Sequence, residues 1–403
     1  MARALEGIRI VDLTHVLAGP IATMILADLG AEVIHIEPPH GDDAREFGPF
    51  AGEAGKNRSA YFVSLNRNKK SMVLDLKQEK GRQILRELIV ISDVIIENYR
   101  PTTMSDLGFT WKEIQRINPA IIYASISGFG HGTPPQYSSL PAYDIIAQAY
   151  SGFMSITGPE DGAPCRAGAS VGDIFAGHQA AIGIMAALIY REKTGHGQYY
   201  DGSMVDGLFS VMENAVVQHT VGHRIPKPLG SAHPTIAPFQ SIPTMDGWMV
   251  IAIGNDSIWK KFCSAIGRED LSEHPEFKTN SLRSRNRKAL IKIVEKELVE
   301  KTSCEWSRIL GREFIPHSPI NNIKQICEDP CIKHRKMLVD IDQPQMGQLK
   351  IAGSPLHLSE TPGEVYAPAP MLGEHSEEIL KNLLEHADED ISRLKKEGVI
   401  NSG

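Results

Sequence analysis

Apolar runs broken by short polar turns recur along the first half of the chain, alternating between strand-like and helix-like lengths. Gly7 to Thr14 reads as a buried strand, His15 to Pro20 as a turn, Ile21 to Gly30 as a helix and Ala31 to Glu37 as a second strand, which makes a βαβ unit. A polar stretch from Pro38 reads as a loop lasting until Tyr61, long enough to have a functional or interface purpose. The alternation then resumes with strand Met72 to Leu76, helix Gly81 to Ile91, strand Asp93 to Glu97, helix Trp111 to Ile117 and strand Ile121 to Ser127. Ligands of open parallel sheets sit beyond the carboxyl ends of the strands, which puts His15, Asn98 to Arg100 and Ser127 to Phe129 on one rim.

Tyr143 to Gly152 carries an apolar stripe with Asp144 as its first-turn acid. From Ile174 to Ile189 almost no charge occurs, which predicts a helix apolar nearly all round and buried at the centre of a domain, ended by Gly195 and Gly197. Asp173 stands just before it. By residue type alone a short acid there reads as an N-cap, and its alternative is a working carboxylate. Ser203 to Asp206 opens a further helix running to about Val221. Pro226 to Pro243 reads as a linker, and strand Trp248 to Ile253 begins a smaller second domain. Helices Ile258 to Ile266, Arg287 to Lys301 and Trp306 to Leu310 fill that domain. Strand patterns at 337–341 and 348–351, a proline-rich link and a charged helix make the tail. The division is therefore 1–225, 226–330 and 331–403.

Composition narrows the function classes. The chain has 403 residues, 42% hydrophobic and 23% charged, with a formal net charge of −7. That balance gives no electrostatic case for nucleic acid or an anionic membrane as partner, so any polyanionic ligand must be met locally. The start of the chain lacks a hydrophobic targeting segment, and the run from Ala180 to Tyr190 is short for a bilayer span, so a cytoplasmic protein is expected. Five scattered cysteines do not suit a disulfide framework. Cys327, Cys331 and His334 lack a fourth ligand at suitable spacing, so no metal is expected. The first turn holds Gly19 alone, without the G-x-G-x-x-G dinucleotide fingerprint, and Glu37 reads as a solvated strand-end carboxylate.

Several segments taken together resemble the class III CoA-transferase family, which includes carnitine CoA-transferases, formyl-CoA transferases and α-methylacyl-CoA racemases. They are Leu5 to Leu13, Ala18 to Pro20, Leu29 to Pro38, Asn66 to Ser71, Asp93 to Pro101, Gly172-Asp173, Lys193 to Gln198, Asp246-Gly247 and Leu372 to His375. The resemblance covers nearly the whole chain. It implies an α/β fold with a split Rossmann-like large domain, a small α+β domain, and ring-shaped chains interlocked as a homodimer, with a heteromer containing a paralogue as the alternative. It also implies that Asp173 is the nucleophile, forming an aspartyl anhydride and then an aspartyl-CoA thioester. A helix N-terminus is expected to lower its pKa, and N–H groups of the small domain to stabilise the oxyanions.

By the same resemblance CoA contacts fall on His15, Val16, Ala18, Leu74, Lys77, Asn98, Tyr99 and Arg100, and the basic Arg67, Lys69 and Lys70 match a family segment. CoA esters are substrates, and no tightly bound cofactor is implied. Tyr61, Tyr143, Asp144 and His233 are substrate-pocket candidates, with Arg224 beside His233 as a partner for a distal carboxylate. Tyr143 stands where the racemases carry a histidine. Leu17 stands where formyl-CoA transferases typically have a glutamine. The small domain looks more like the succinate-dependent dicarboxylate transferases. The expected reaction is thus CoA transfer from succinyl-CoA to a dicarboxylic acid. The alternatives are an acyl-CoA racemase and, from another class, a NAD-dependent dehydrogenase.

Overall fold

Six strands pair side by side in one parallel sheet: β1 (Arg9–Asp12), β2 (Glu32–Glu37), β3 (Lys69–Val73), β4 (Val94–Glu97), β5 (Ile122–Ser127) and β6 (Tyr199–Ser203). Their spatial order is β3-β2-β1-β4-β5-β6. The computed structural model describes residues 3–52 and 58–401. The winding direction reverses between β1 and β4, so the loops leaving these two strands diverge and open a crevice at their carboxyl ends.

Seven helices matter for the site: α1 (Ala18–Asp28), α2 (Ala60–Asn66), α3 (Glu79–Val90), α4 (Trp111–Ile117), α5 (Asp144–Tyr150), α6 (Val171–Thr194) and α7 (Met204–Ser210). Strand side chains alternate between two cores, as the pleat requires. Val11, Ile34, Ile36 and Ile95 meet α3, α4 and tail residues such as Ile379, Leu394 and Val399. Ile10, Val33, Val94, Ile96 and Ile122 meet α1 and α6. With both faces covered, the central strands need no polar side, which is why Ile10-Val11 in β1 and Val94 to Ile96 in β4 read as unbroken apolar runs.

The described residues form two compact units. One comprises Met1–Phe153, Ala167–Asn214 and Pro330–Gly403, and the other Met154–Arg166 with Ala215–Asp329. In the second, strand Gly247–Ala252 pairs antiparallel with Phe239–Thr244 and with His317–Pro319, over a core containing Trp259, Phe262, Leu290 and Trp306. Its buried Arg283 donates to the carbonyls of Ala237 and Phe277 and to Asp256.

Several elements differ from the sequence reading. The stretch expected to be linker to Pro243 contains the strand Phe239–Thr244; that strand lies at a sheet edge, where a proline costs no ladder bond. The helix expected from 203 to about 221 is two: α7 ends at Ser210 and another covers Glu213–Thr220. The first buries Met204, Gly207 and Leu208 and the second buries nothing, so no shared apolar face holds them in line. The polar stretch before Tyr61 includes a short hairpin, Phe50–Ala51 with Arg58–Ser59, and α2 begins at Ala60; residues 53–57 lie outside the described ones. Strand β3 starts at Lys69 rather than Met72, which takes Lys69 out of water.

The central helix differs most. By length and composition α6 is apolar enough to cross a membrane, longer than the run from Ala180 to Tyr190 suggests. It buries only one side, through Gly172, Ala176, Gly177, Ala180, Ala181, Ile184, Ala187 and Leu188. Ile182 and Ile189 on its other side are 63% and 59% exposed. Small residues on the buried side let α1 approach: a Cβ on Gly177 would stand 2.5 Å from the Ala18 carbonyl oxygen.

Candidate active site

Helix α6 starts at Val171, so Asp173 lies inside its first turn rather than at the cap. Asp144, the first residue of α5, fixes that turn by accepting from the Gly172 N–H at 2.8 Å. Its other oxygen accepts from Gln148 Nε2 at 2.7 Å, and Gln148 Oε1 accepts from the Ala167 N–H at 2.9 Å. Position 172 must be small, because a Cβ there would stand 3.0 Å from Asp144 Oδ1.

Burial, reinforced by the Asp144 charge, pushes the Asp173 carboxyl up from its ordinary 3.8 to about 7. This reverses the expected lowering. A first-turn position favours an anion by only about 0.3–1 kcal/mol, less than desolvation and a neighbouring carboxylate together oppose it. Chemically the result is a more basic oxygen than an ordinary aspartate offers, on a group that gains and loses its proton within the neutral range. Tyr61 on α2 is close enough to be influenced: burial, then the charges of Asp173 and Asp42, push its phenol up to about 12. It therefore stays protonated at neutral pH and keeps a donor near the carboxylate.

One turn after Asp173 on the same face of α6, Gly177 presses on Ala18, the first residue of α1. The β1–α1 turn therefore lies next to the start of α6. A cleft of about 650 Å³ opens beside it, lined by Thr14, His15, Glu37, Asp42, Leu74, Lys77 and Tyr99 among others. Asn98 secures one wall, its side chain accepting from the His15 N–H and donating to the His15 carbonyl, each at 2.9 Å. The His15 and Tyr99 rings lie 5.4 Å apart. The structure thus brings together His15, Asn98 and Tyr99 from two of the three expected rim loops. The third turns inward, where the Gly130 N–H donates to Ser127 Oγ.

Of the other expected contacts, Leu74 and Lys77 line the cleft, whereas Val16, Ala18, Asn98 and Arg100 are not among its walls. Tyr143 is 80% exposed. His233 belongs to the second unit, its ring 5.2 Å from that of Phe239.

The floor of the cleft is charged, which the sequence reading missed. Glu37 is not solvated: it is 1% exposed, and its carboxylate accepts from Arg45 Nε and Nη2 at 2.7 Å each, from Ser71 Oγ at 2.6 Å and from the Asp42 N–H at 3.1 Å. With its lone pairs filled it has nothing to offer a ribose hydroxyl, which removes the dinucleotide reading's only acid. Burial works to raise the Asp12 carboxyl, but Lys69 and His35 outweigh it and hold it well below the usual carboxylate range. Lys69 Nζ lies 3.1 Å from Asp12 Oδ2, and burial lowers its pKa despite that partner. His35 Nδ1 is 3.3 Å from Asp12 Oδ2 without hydrogen-bond geometry; burial pulls this imidazole down, but Asp12 leaves it above its ordinary value. Arg67 is paired with Asp28 at 2.7 Å and equally buried. Neither Arg67 nor Lys69 is a solvated charge free for a phosphate.

Comparison with known proteins identifies the family. The sequence model of CoA-transferase family III matches residues 5–376. The chain is 38% identical over 400 residues to the human succinyl-CoA:glutarate CoA-transferase, covering 99% of this chain and 90% of that one. It is 39% identical over 390 residues to a succinyl-CoA:mesaconate CoA-transferase of Haloarcula hispanica, covering 94% and 96%. A crystal structure of a CAIB/BAIF family protein from Brucella suis superimposes with a TM-score of 0.85 at 35% identity, covering 95% of this chain and 100% of that one. With the family model matched over residues 5–376 and relatives of 38–39% identity spanning nearly the whole chain, the chain belongs to CoA-transferase family III.

Proposed function

We propose that the protein transfers CoA from succinyl-CoA to a second dicarboxylic acid, with Asp173 as the nucleophile. The observation that carries this reading is the Asp173 carboxyl, raised to about 7 at the start of α6 beside the β1–β4 crevice. An Asp173 oxygen attacks the thioester carbonyl, the C–S bond breaks, and CoA leaves as thiolate while an anhydride forms. The thiolate then attacks the Asp173 acyl carbon, releasing succinate and leaving an aspartyl-CoA thioester. The acceptor carboxylate repeats these steps in reverse and leaves as its CoA ester, with Asp173 restored. No electrons change hands and no net proton is needed.

His15, Tyr99, Leu74 and Lys77 hold the CoA in the cleft, Asn98 and Val16 shape the turn, and Arg100 supplies an exposed cation. Tyr61 and Asp144 flank the reacting carboxylate. The relatives named for glutarate and mesaconate support a dicarboxylate acceptor. A homodimer of interlocked chains fits the exposed apolar residues of the large unit, Ile145, Ile146, Ile182, Ile189 and Phe209, which a second copy would cover. A cytoplasmic location belongs to the same reading.

The test is to incubate the enzyme with succinyl-CoA and a panel of acids including glutarate, mesaconate and oxalate, and to identify the CoA esters by mass spectrometry. A new dicarboxyl-CoA ester with release of succinate is expected. Solvent deuterium entering the α-carbon of a branched acyl-CoA without any CoA exchange would instead favour the racemase reading, which the exposed Tyr143 in place of a histidine disfavours.

A further inference from the structure

Val16 is held in the left-handed region, with φ of 65°. For a β-branched residue this conformation is strained and persists only where its surroundings impose it. The turn it makes is tight, with the Leu17 N–H bonding back to the His15 carbonyl at 3.1 Å. What imposes it is Asp42. That carboxylate is 3% exposed and accepts from the Val16 N–H with both oxygens, at 3.2 and 3.1 Å, while Oδ1 also caps the Ala44 N–H at 2.8 Å.

Asp42 is itself fixed from below. Its own N–H donates to Glu37, whose carboxylate is clamped by Arg45 and Ser71. A rigid chain of contacts therefore runs from the end of β2 through Glu37 and Asp42 to the β1–α1 turn. That turn carries His15 into the cleft and leads directly to Ala18, against which α6 is packed.

We propose that Asp42 is a positioning residue for CoA transfer, holding the strained His15–Val16–Leu17 turn in the shape that receives the acyl-CoA. Asp42 stands in the cleft wall beside His15, and its part in the reaction is to fix the turn through the Val16 N–H. The proposal rests on the reading of the cleft as the CoA site. It accounts for three features together: a β-branched residue in a conformation that favours glycine, a buried carboxylate aimed at its N–H, and a saturated Glu37 that serves that carboxylate rather than a ligand.

The test is a set of variants measured for CoA affinity by calorimetry and for KM and kcat with succinyl-CoA. Asp42→Asn keeps an oxygen to cap Ala44 but turns an amide donor toward the Val16 N–H. Asp42→Ser also keeps the cap, with a hydroxyl too short to span both N–H groups. Either is expected to weaken CoA binding and raise KM about tenfold, equivalent to about 1.4 kcal/mol, with kcat changed less than threefold. Adding Val16→Gly to the Asp42 variant restores affinity to within about threefold, because glycine adopts the positive φ without a carboxylate to hold it. A residue needed only for folding would show no such rescue. Unrescued loss in the double variant overturns the proposal, as does unchanged affinity in both Asp42 variants while His15→Ala weakens binding. If His15→Ala and Tyr99→Ala leave CoA affinity intact as well, the reading of the cleft fails first and the positioning role falls with it.

Discussion

Replacing Asp173 by asparagine should stabilise the protein while abolishing its chemistry. The folded carboxyl is pushed up from 3.8 to about 7 by burial and by Asp144. Between those two pH values the folded chain binds one more proton than the unfolded chain, so the stability this group provides is complete below 3.8 and declines as pH rises to about 7. At 1.36 kcal/mol for each tenfold difference in proton affinity, the ionised carboxylate costs up to about 4 kcal/mol at pH 8. Asparagine fills the same volume without ionising. Asp173→Asn is therefore expected to be more stable than the parent by up to about 4 kcal/mol at pH 8, and the gap should shrink by about 2 kcal/mol at pH 5.5. Urea unfolding of both proteins across that range measures it, provided the two keep equal m-values. A variant less stable than its parent at pH 8, or a gap that does not change with pH, would refute the electrostatic account of the site.

The same ionisation governs activity: kcat/KM should fall as pH drops through about 7, and Asp144→Asn, which removes the neighbouring charge, should move that limb to lower pH. A limb that stays in place shows that Asp144 does not set the nucleophile's proton affinity. Lys69→Met takes the buried Asp12 carboxylate's lysine partner away, leaving it His35 and the Thr14 and Thr23 hydroxyls, and should destabilise the protein by about 3 kcal/mol, most of it recovered when Asp12→Asn is added; denaturant melts of the two variants decide it. Gly177→Ala forces a methyl against the Ala18 carbonyl and should cost about 1–3 kcal/mol in thermal unfolding.

Much of the sheet could be read in advance because its strands are buried on both faces and its helices lie between short turns. Val94–Glu97, Trp111–Ile117 and Ile122–Ser127 fall within a residue of their expected positions. Lys69 escaped because a lysine in an Asn-Arg-Asn-Lys-Lys run looks solvated unless its buried partner, 57 residues earlier in the chain, is known. Glu37 and Asp42 escaped for the same reason: each is defined by donors brought together by folding, Arg45 and Ser71 for one and the Val16 N–H for the other. A possible local signal was the Gly-Asp-Asp-Ala-Arg segment after β2, an acid poised to cap a short turn with an arginine following it. The exposed side of α6 reads as core in the sequence because an exposed apolar face and a buried one have the same composition. The proton affinity of Asp173 was read from its place on a helix, and it depends first on burial and then on Asp144, which lies 29 residues before it.

The central claim is that Asp173 carries the acyl and CoA groups in turn. Incubating the enzyme with succinyl-CoA, quenching with hydroxylamine and sequencing the peptides by mass spectrometry tests it directly. The account predicts a hydroxamate at Asp173 that depends on succinyl-CoA and disappears in Asp173→Asn. Continued CoA transfer by Asp173→Ala, with no modification at position 173 in the parent, would contradict it.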